Sequence, residues 1–97
     1  MNAPDAYRSI LRHHVATIEA KYPLKIVGLL PRGTAVHVRG EDALDFLAKK
    51  RLGLSLLGIA QAEVDLAECL QRPVGIVLTS EVRGEEAARL TAAARPL

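Results

Sequence analysis

The stretch Leu24-Lys25-Ile26-Val27-Gly28-Leu29-Leu30-Pro31-Arg32-Gly33 decides how this chain of 97 residues is read. Its first seven residues form a nearly unbroken apolar run. It is short enough for a strand and apolar enough to be a largely buried one. Pro31 and Gly33 then break it, because proline lacks an N–H and glycine opens conformations closed to other residues. Asp45-Phe46-Leu47 begins twelve residues after Gly33. The layout to explain is therefore a strand running into a Gly-containing break, with a carboxylate soon after in a second apolar segment.

Toward the N-terminus, residues 4–21 predict an amphipathic helix. Tyr7, Ile10, Leu11, His14, Val15 and Ile18 recur at helical spacing, while Arg8, Arg12 and Glu19 lie mostly off that face. Pro4 suits a first turn, and Tyr22-Pro23 ends the helix because a residue before proline avoids helical dihedrals. Beyond the break, residues 34–39 alternate and read as a second, exposed-edge strand, and Gly40-Glu41-Asp42 is a turn signal. Residues 43–50 read two ways. Composition favours a helix, and a short buried strand fits equally well. Residues 54–70 predict a helix capped by Ser55. Its apolar face holds Leu56, Leu57, Ile59, Ala60, Val64, Ala67 and Leu70, with Gln61, Glu63, Asp65 and Glu68 polar. Gln71-Arg72-Pro73 stops it, Val74-Gly75-Ile76-Val77-Leu78 is a buried strand, and Thr79 or Ser80 opens a last helical region over roughly 81–94. The order argues an α/β or α+β fold, a small mixed sheet packed against helices, in one domain over residues 1–97.

Composition narrows the function. Apolar residues make up 49% of the chain, enough for a core and too many for global disorder. Tyr7, Tyr22 and Phe46 are the aromatics, so stacking of bases is not a main activity. The net charge of +2 is spread out, with one run at Lys49-Lys50-Arg51. That is too sparse for a duplex-DNA footprint and allows at most a weak phosphate contact. The run reads as a solvated turn, or as a cluster able to meet an acidic partner. Cys69 is the one cysteine, which fits a reducing compartment, and its expected role is that of a small buried hydrophobe. His13 and His14 point about 100° apart on a helix and cannot share a metal. No apolar run approaches the roughly 20 residues of a membrane span, and the N-terminus lacks a signal-peptide core. A cytoplasmic protein away from membranes is expected.

The chain resembles the minimal nucleotidyltransferases of the polymerase-beta superfamily, whose signature is G-S-x-A-R-G followed by D-x-D. The resemblance rests on the strand into Gly28, the Arg32-Gly33 pair, the leading helix ending at Lys21-Tyr22, the Leu-rich helix 54–70, and the approach Leu70-Gln71-Arg72-Pro73-Val74 to a later strand. It implies the nucleotidyltransferase-like fold, a strand for 43–50, and a nucleotide-binding role, here vestigial, for Gly28, Arg32 and Gly33. It also exposes departures. Leu29 stands where the family has a serine whose backbone and hydroxyl help hold the nucleotide phosphates, and Pro31 replaces its alanine. The two metal-binding aspartates align with Ala43 and Asp45, and the third carboxylate with Gly75.

Nucleotidyl transfer needs divalent metal to offset charge on the triphosphate and to activate the attacking hydroxyl. Magnesium asks for one or two carboxylates plus phosphate and water oxygens. Asp45 alone does not make a two-metal clamp, and Asp42 is a second ligand only in a shifted register. The resemblance therefore implies a catalytically degenerate domain, with no catalytic residues and no cofactor, acting by protein–protein binding. Minimal nucleotidyltransferases are often the antitoxin half of a two-gene system with a helical nuclease-type partner. An antitoxin-like subunit with a helical protein partner, or a homodimer, follows from that likeness. The expected contact runs through the edge at 36–38 or the helix start at 54–60. The alternatives are a residual nucleotidyltransferase using magnesium on Asp42 and Asp45 with a protein or small-molecule acceptor, and a regulatory domain that binds a nucleotide without turning it over.

Overall fold

The computed structural model describes the backbone of residues 3–31, 43–82 and 84–97, with side chains from Tyr7 onward. The elements are α1 (Ala3–Lys21), β1 (Leu24–Leu30), β2 (Leu44–Lys50), α2 (Leu56–Leu70), β3 (Val74–Leu78), a 3-10 turn (Thr79–Glu81) and α3 (Gly84–Ala93). The sheet order is β1-β2-β3, with β1 antiparallel and β3 parallel to β2. The described residues thus form an α+β arrangement of three helices on a mixed three-stranded sheet. The proposed strand at 34–39 and turn at 40–42 lie outside the described residues.

Residues 43–50 settle as a strand. β2 is the central strand and satisfies its backbone against neighbours on both sides, which outweighs the helical preference of its leucines and alanines. Leu44, Phe46 and Ala48 face α1 and α2, where Phe46 packs with Leu11, Val15, Ile18, Leu24, Ile26, Leu66 and Ile76. Leu47 faces the other way and joins Leu30, Val77 and Leu90 beneath α3. The sheet is therefore apolar on both faces, with helices covering each.

Ser55 caps α2 as expected, its hydroxyl accepting from the Gly58 N–H at 3.0 Å. The apolar face expected for this helix needs correction. Ala62 and Leu66 are the buried residues, with Ile59, Ala67 and Leu70 partly buried beside them. Leu56, Leu57 and Val64 point to solvent. Cys69 is also exposed, a correction to its expected burial; it lies in the last turn of α2, past Leu66, the last fully buried residue of the helix. The last helix starts later than residue 81. Val82 is extended, and Gly84, at a φ of 61°, turns the chain into α3.

Carboxylates occupy backbone donors along the sheet's outer edges. Glu19 of α1 accepts from the Ile26 N–H at 2.8 Å, and Glu63 of α2 accepts from the Ile76 N–H at 2.7 Å. Glu81 accepts from the Leu78 N–H at 3.3 Å. Such contacts blunt the tendency of an open edge to recruit another strand.

Candidate functional site

Gly28, Asp45 and Gly75 come together on the sheet face that α3 covers. Asp45 pairs with Leu30 of β1 on one side and with Gly75 of β3 on the other. Ala43 lies two residues before Asp45, on the same side by strand alternation. Asp45 is half-buried, with its Oδ1 buried. It is the single carboxylate among Ala43, Asp45 and Gly75, and that donor set does not fit a two-metal clamp. Among the described residues, no group of three His, Cys, Asp or Glu side chains could hold a metal ion. Arg32, Gly33 and Asp42 lie outside the described residues.

Gly28 belongs to the strand that the apolar run Leu24–Leu30 predicts and not to the break at Pro31 and Gly33. It lies inside β1, opposite Leu47, just after a bulge that leaves Val27 unpaired. A Cβ at this position would stand 2.6 Å from the Arg95 carbonyl oxygen and 3.4 Å from the Ala94 Cβ. Glycine is needed because the chain leaving α3 crosses here. Leu29 then pairs with that segment in both directions. Its N–H donates to the Arg95 carbonyl at 2.9 Å, and its carbonyl accepts from the Arg95 N–H at 2.8 Å. The residue standing where the resemblance expects a phosphate-holding serine has thus committed its backbone N–H within the chain. Leu90 of α3 packs alongside, against Leu30, Leu47 and Val77, so the same face is closed by apolar side chains.

No family model matches the chain, and no curated protein does. A solved structure assigned as a minimal nucleotidyltransferase superposes on it with a TM-score of 0.75 at 18% identity, covering 96% of this chain and 94% of the other. The fold is that of a minimal nucleotidyltransferase. On this nucleotidyltransferase fold, Gly28, Asp45 and Gly75 share one face, and the C-terminal residues run across the first of them.

Sequence reasoning missed a polar clasp on the opposite side of this nucleotidyltransferase fold. Asp65 Oδ2 of α2 accepts from Lys21 Nζ at 2.8 Å and from the Tyr22 hydroxyl at 2.5 Å. The Lys21 and Tyr22 hydrogen bonds hold the Asp65 carboxyl below its ordinary pKa. The same bonds to Asp65 raise Lys21 and Tyr22 above theirs. These residues are over forty positions apart, so no local pattern announces the contact. His13 and His14 meet edge to face, with ring centroids 5.5 Å apart. The start of α2 was singled out from its leucines, and there Leu52, Leu56 and Leu57 stand exposed beside the exposed Lys49, Lys50 and Arg51. Among the described residues, no helix is long and apolar enough to cross a membrane.

Proposed function

We propose that this chain is a nucleotidyltransferase fold kept without its chemistry, a cytoplasmic binding subunit for a helical protein partner in the manner of an antitoxin. The Leu29–Arg95 pairing carries the reading. The backbone donor that would meet a nucleotide phosphate is bonded within the chain, at 2.9 Å. That Asp45 is the single carboxylate among Ala43, Asp45 and Gly75 supports it, because one carboxylate does not organise the metal that nucleotidyl transfer requires. The surface for the partner is the start of α2. Leu56 is 84% and Leu57 67% exposed, and Leu52 beside them is fully exposed. Lys50 and Arg51 flank this apolar knob and favour a partner that is apolar with an acidic rim. Glu19 and Glu63 occupy donors on the described sheet edges, so the partner meets helix side chains and does not add a strand. A second copy of the chain is the other candidate for the same surface.

Calorimetric titration of magnesium or manganese, with and without ATP, is expected to show no saturable binding. Micromolar, metal-dependent nucleotide binding that disappears in Asp45→Ala would refute the proposal and return weight to an enzyme using Asp45 and Asp42. Light scattering and pull-down from the native lysate then read the partner. The double variant Leu56→Asp/Leu57→Asp is expected to abolish association while the fold persists, since both side chains are exposed. A stable monomer that captures no helical protein would contradict the binding role.

A further inference from the structure

We infer that a groove beside the outer edge of β1 is a binding site for a small dianionic phosphate ester. Its volume is about 570 Å³, within the range of small-ligand sites. It lies between α1 and the residues that follow α3, and three cations reach it from three separate elements: Arg12 of α1, Lys25 of β1 and Lys49 of β2. Lys25 and Lys49 are directly opposite partners across the antiparallel pair, so both side chains leave the same sheet face, and both are exposed. Like charges set directly opposite destabilise a strand pair. An anion between them turns that repulsion into attraction.

Glu19 is the acid that lines the groove, and its Oε2 is held by the Ile26 N–H at 2.8 Å. That bond ties the carboxylate to the β1 backbone. Arg12, Lys25 and Lys49 outnumber Glu19, the one acidic side chain of the lining, so the groove favours an anion such as a phosphate monoester, which carries about −1.5 to −2 at neutral pH. Val15, Ile26, Val27 and Leu97 add apolar lining that suits the organic part of an ester and leaves free inorganic phosphate less well held. The groove lies toward the other end of the β2 face that carries Asp45. Lys49 is four residues along β2 from Asp45, roughly 13 Å of strand. The inference therefore stands apart from whether the fold catalyses anything, and from the Leu52, Leu56 and Leu57 surface.

The test titrates phenyl phosphate, inorganic phosphate and a phosphoserine peptide into the isotope-labelled chain and follows backbone amide shifts. Expected are saturable shifts confined to Arg12, Lys25, Val27 and Lys49, with phenyl phosphate binding more tightly than inorganic phosphate. The exposed double variant Lys25→Gln/Lys49→Gln is expected to weaken binding about tenfold or more. Its melting temperature without ligand should equal or exceed the parent's, because the opposed charges are gone. Shifts that never saturate, that spread equally to Lys50 and Arg51, or that survive the double variant would overturn the proposal. A phosphoserine peptide binding much more tightly than phenyl phosphate would overturn the assignment to a small molecule.

Discussion

Replacing Gly28 with alanine is expected to detach the chain after α3 from β1 while leaving the rest of the fold in place. The new Cβ would lie 2.6 Å from the Arg95 carbonyl oxygen and 3.0 Å from its carbonyl carbon. Both are backbone atoms, so neither can swing aside as a side chain would. The Leu29–Arg95 pair must open, losing hydrogen bonds of 2.9 Å and 2.8 Å. Each contributes about 0.5–1.5 kcal/mol net, so the loss is roughly 1–3 kcal/mol. Gly28 is outside the left-handed region, so alanine also restricts the unfolded chain and returns about 0.4–1 kcal/mol. The net destabilisation is about 1–2 kcal/mol, or roughly 5–15 °C in Tm for a chain of this size. Thermal melting gives the total, and amide hydrogen exchange locates it. Leu29 and Arg95 should lose protection, while Phe46 and Val77 keep theirs. A Gly28→Ala variant that melts at or above the parent's temperature with Arg95 still protected would refute the reasoning. The glycine would then be free to be read again as a phosphate contact.

Two further outcomes follow from named contacts. Glu63→Ala leaves the Ile76 N–H without its acceptor and is expected to cost about 1–3 kcal/mol in urea melts, whereas Glu63→Gln, which keeps an acceptor oxygen, should cost less. Light scattering on the alanine variant should also show self-association through the uncovered β3 edge. The Lys21–Tyr22–Asp65 clasp sets a pH window. Asp65 is depressed by its hydrogen bonds, so its contribution is present above the unfolded carboxyl value near pH 4 and is lost as pH falls through the lower folded value. Lys21 and Tyr22 are raised, so theirs is present below about pH 10 and is lost as pH rises through the higher folded values. In Asp65→Asn, stability measured against pH should flatten at both ends.

The candidate site was only partly legible. The alignment of Asp45 with Gly75 came from matching residues to the family pattern, and β2 and β3 do set these two side by side. The strand around Gly28 is legible, but the need for glycine there is not, because it comes from the segment that crosses it. That segment, Ala94 and Arg95, lies more than sixty residues further on. The clasp at Asp65 was missed for the same reason, since its partners are the last residue of α1, Lys21, and Tyr22 just after it.

What the sequence determined by itself is local. The apolar run Leu24–Leu30, the Ser55 cap with the helix behind it, and the buried strand Val74–Leu78 each follow from short-range periodicity and punctuation. These signals act within a few residues and need no partner. Tertiary structure decided the rest. It made residues 43–50 a strand, because Leu44, Phe46, Leu47 and Ala48 satisfy either period and only pairing with both neighbours resolves them. It selected Ala62 and Leu66 over Leu56 and Leu57 as the buried side of α2, because burial depends on what the helix packs against. It placed Lys25 opposite Lys49, because strand register is set by the whole sheet and is not encoded near either lysine.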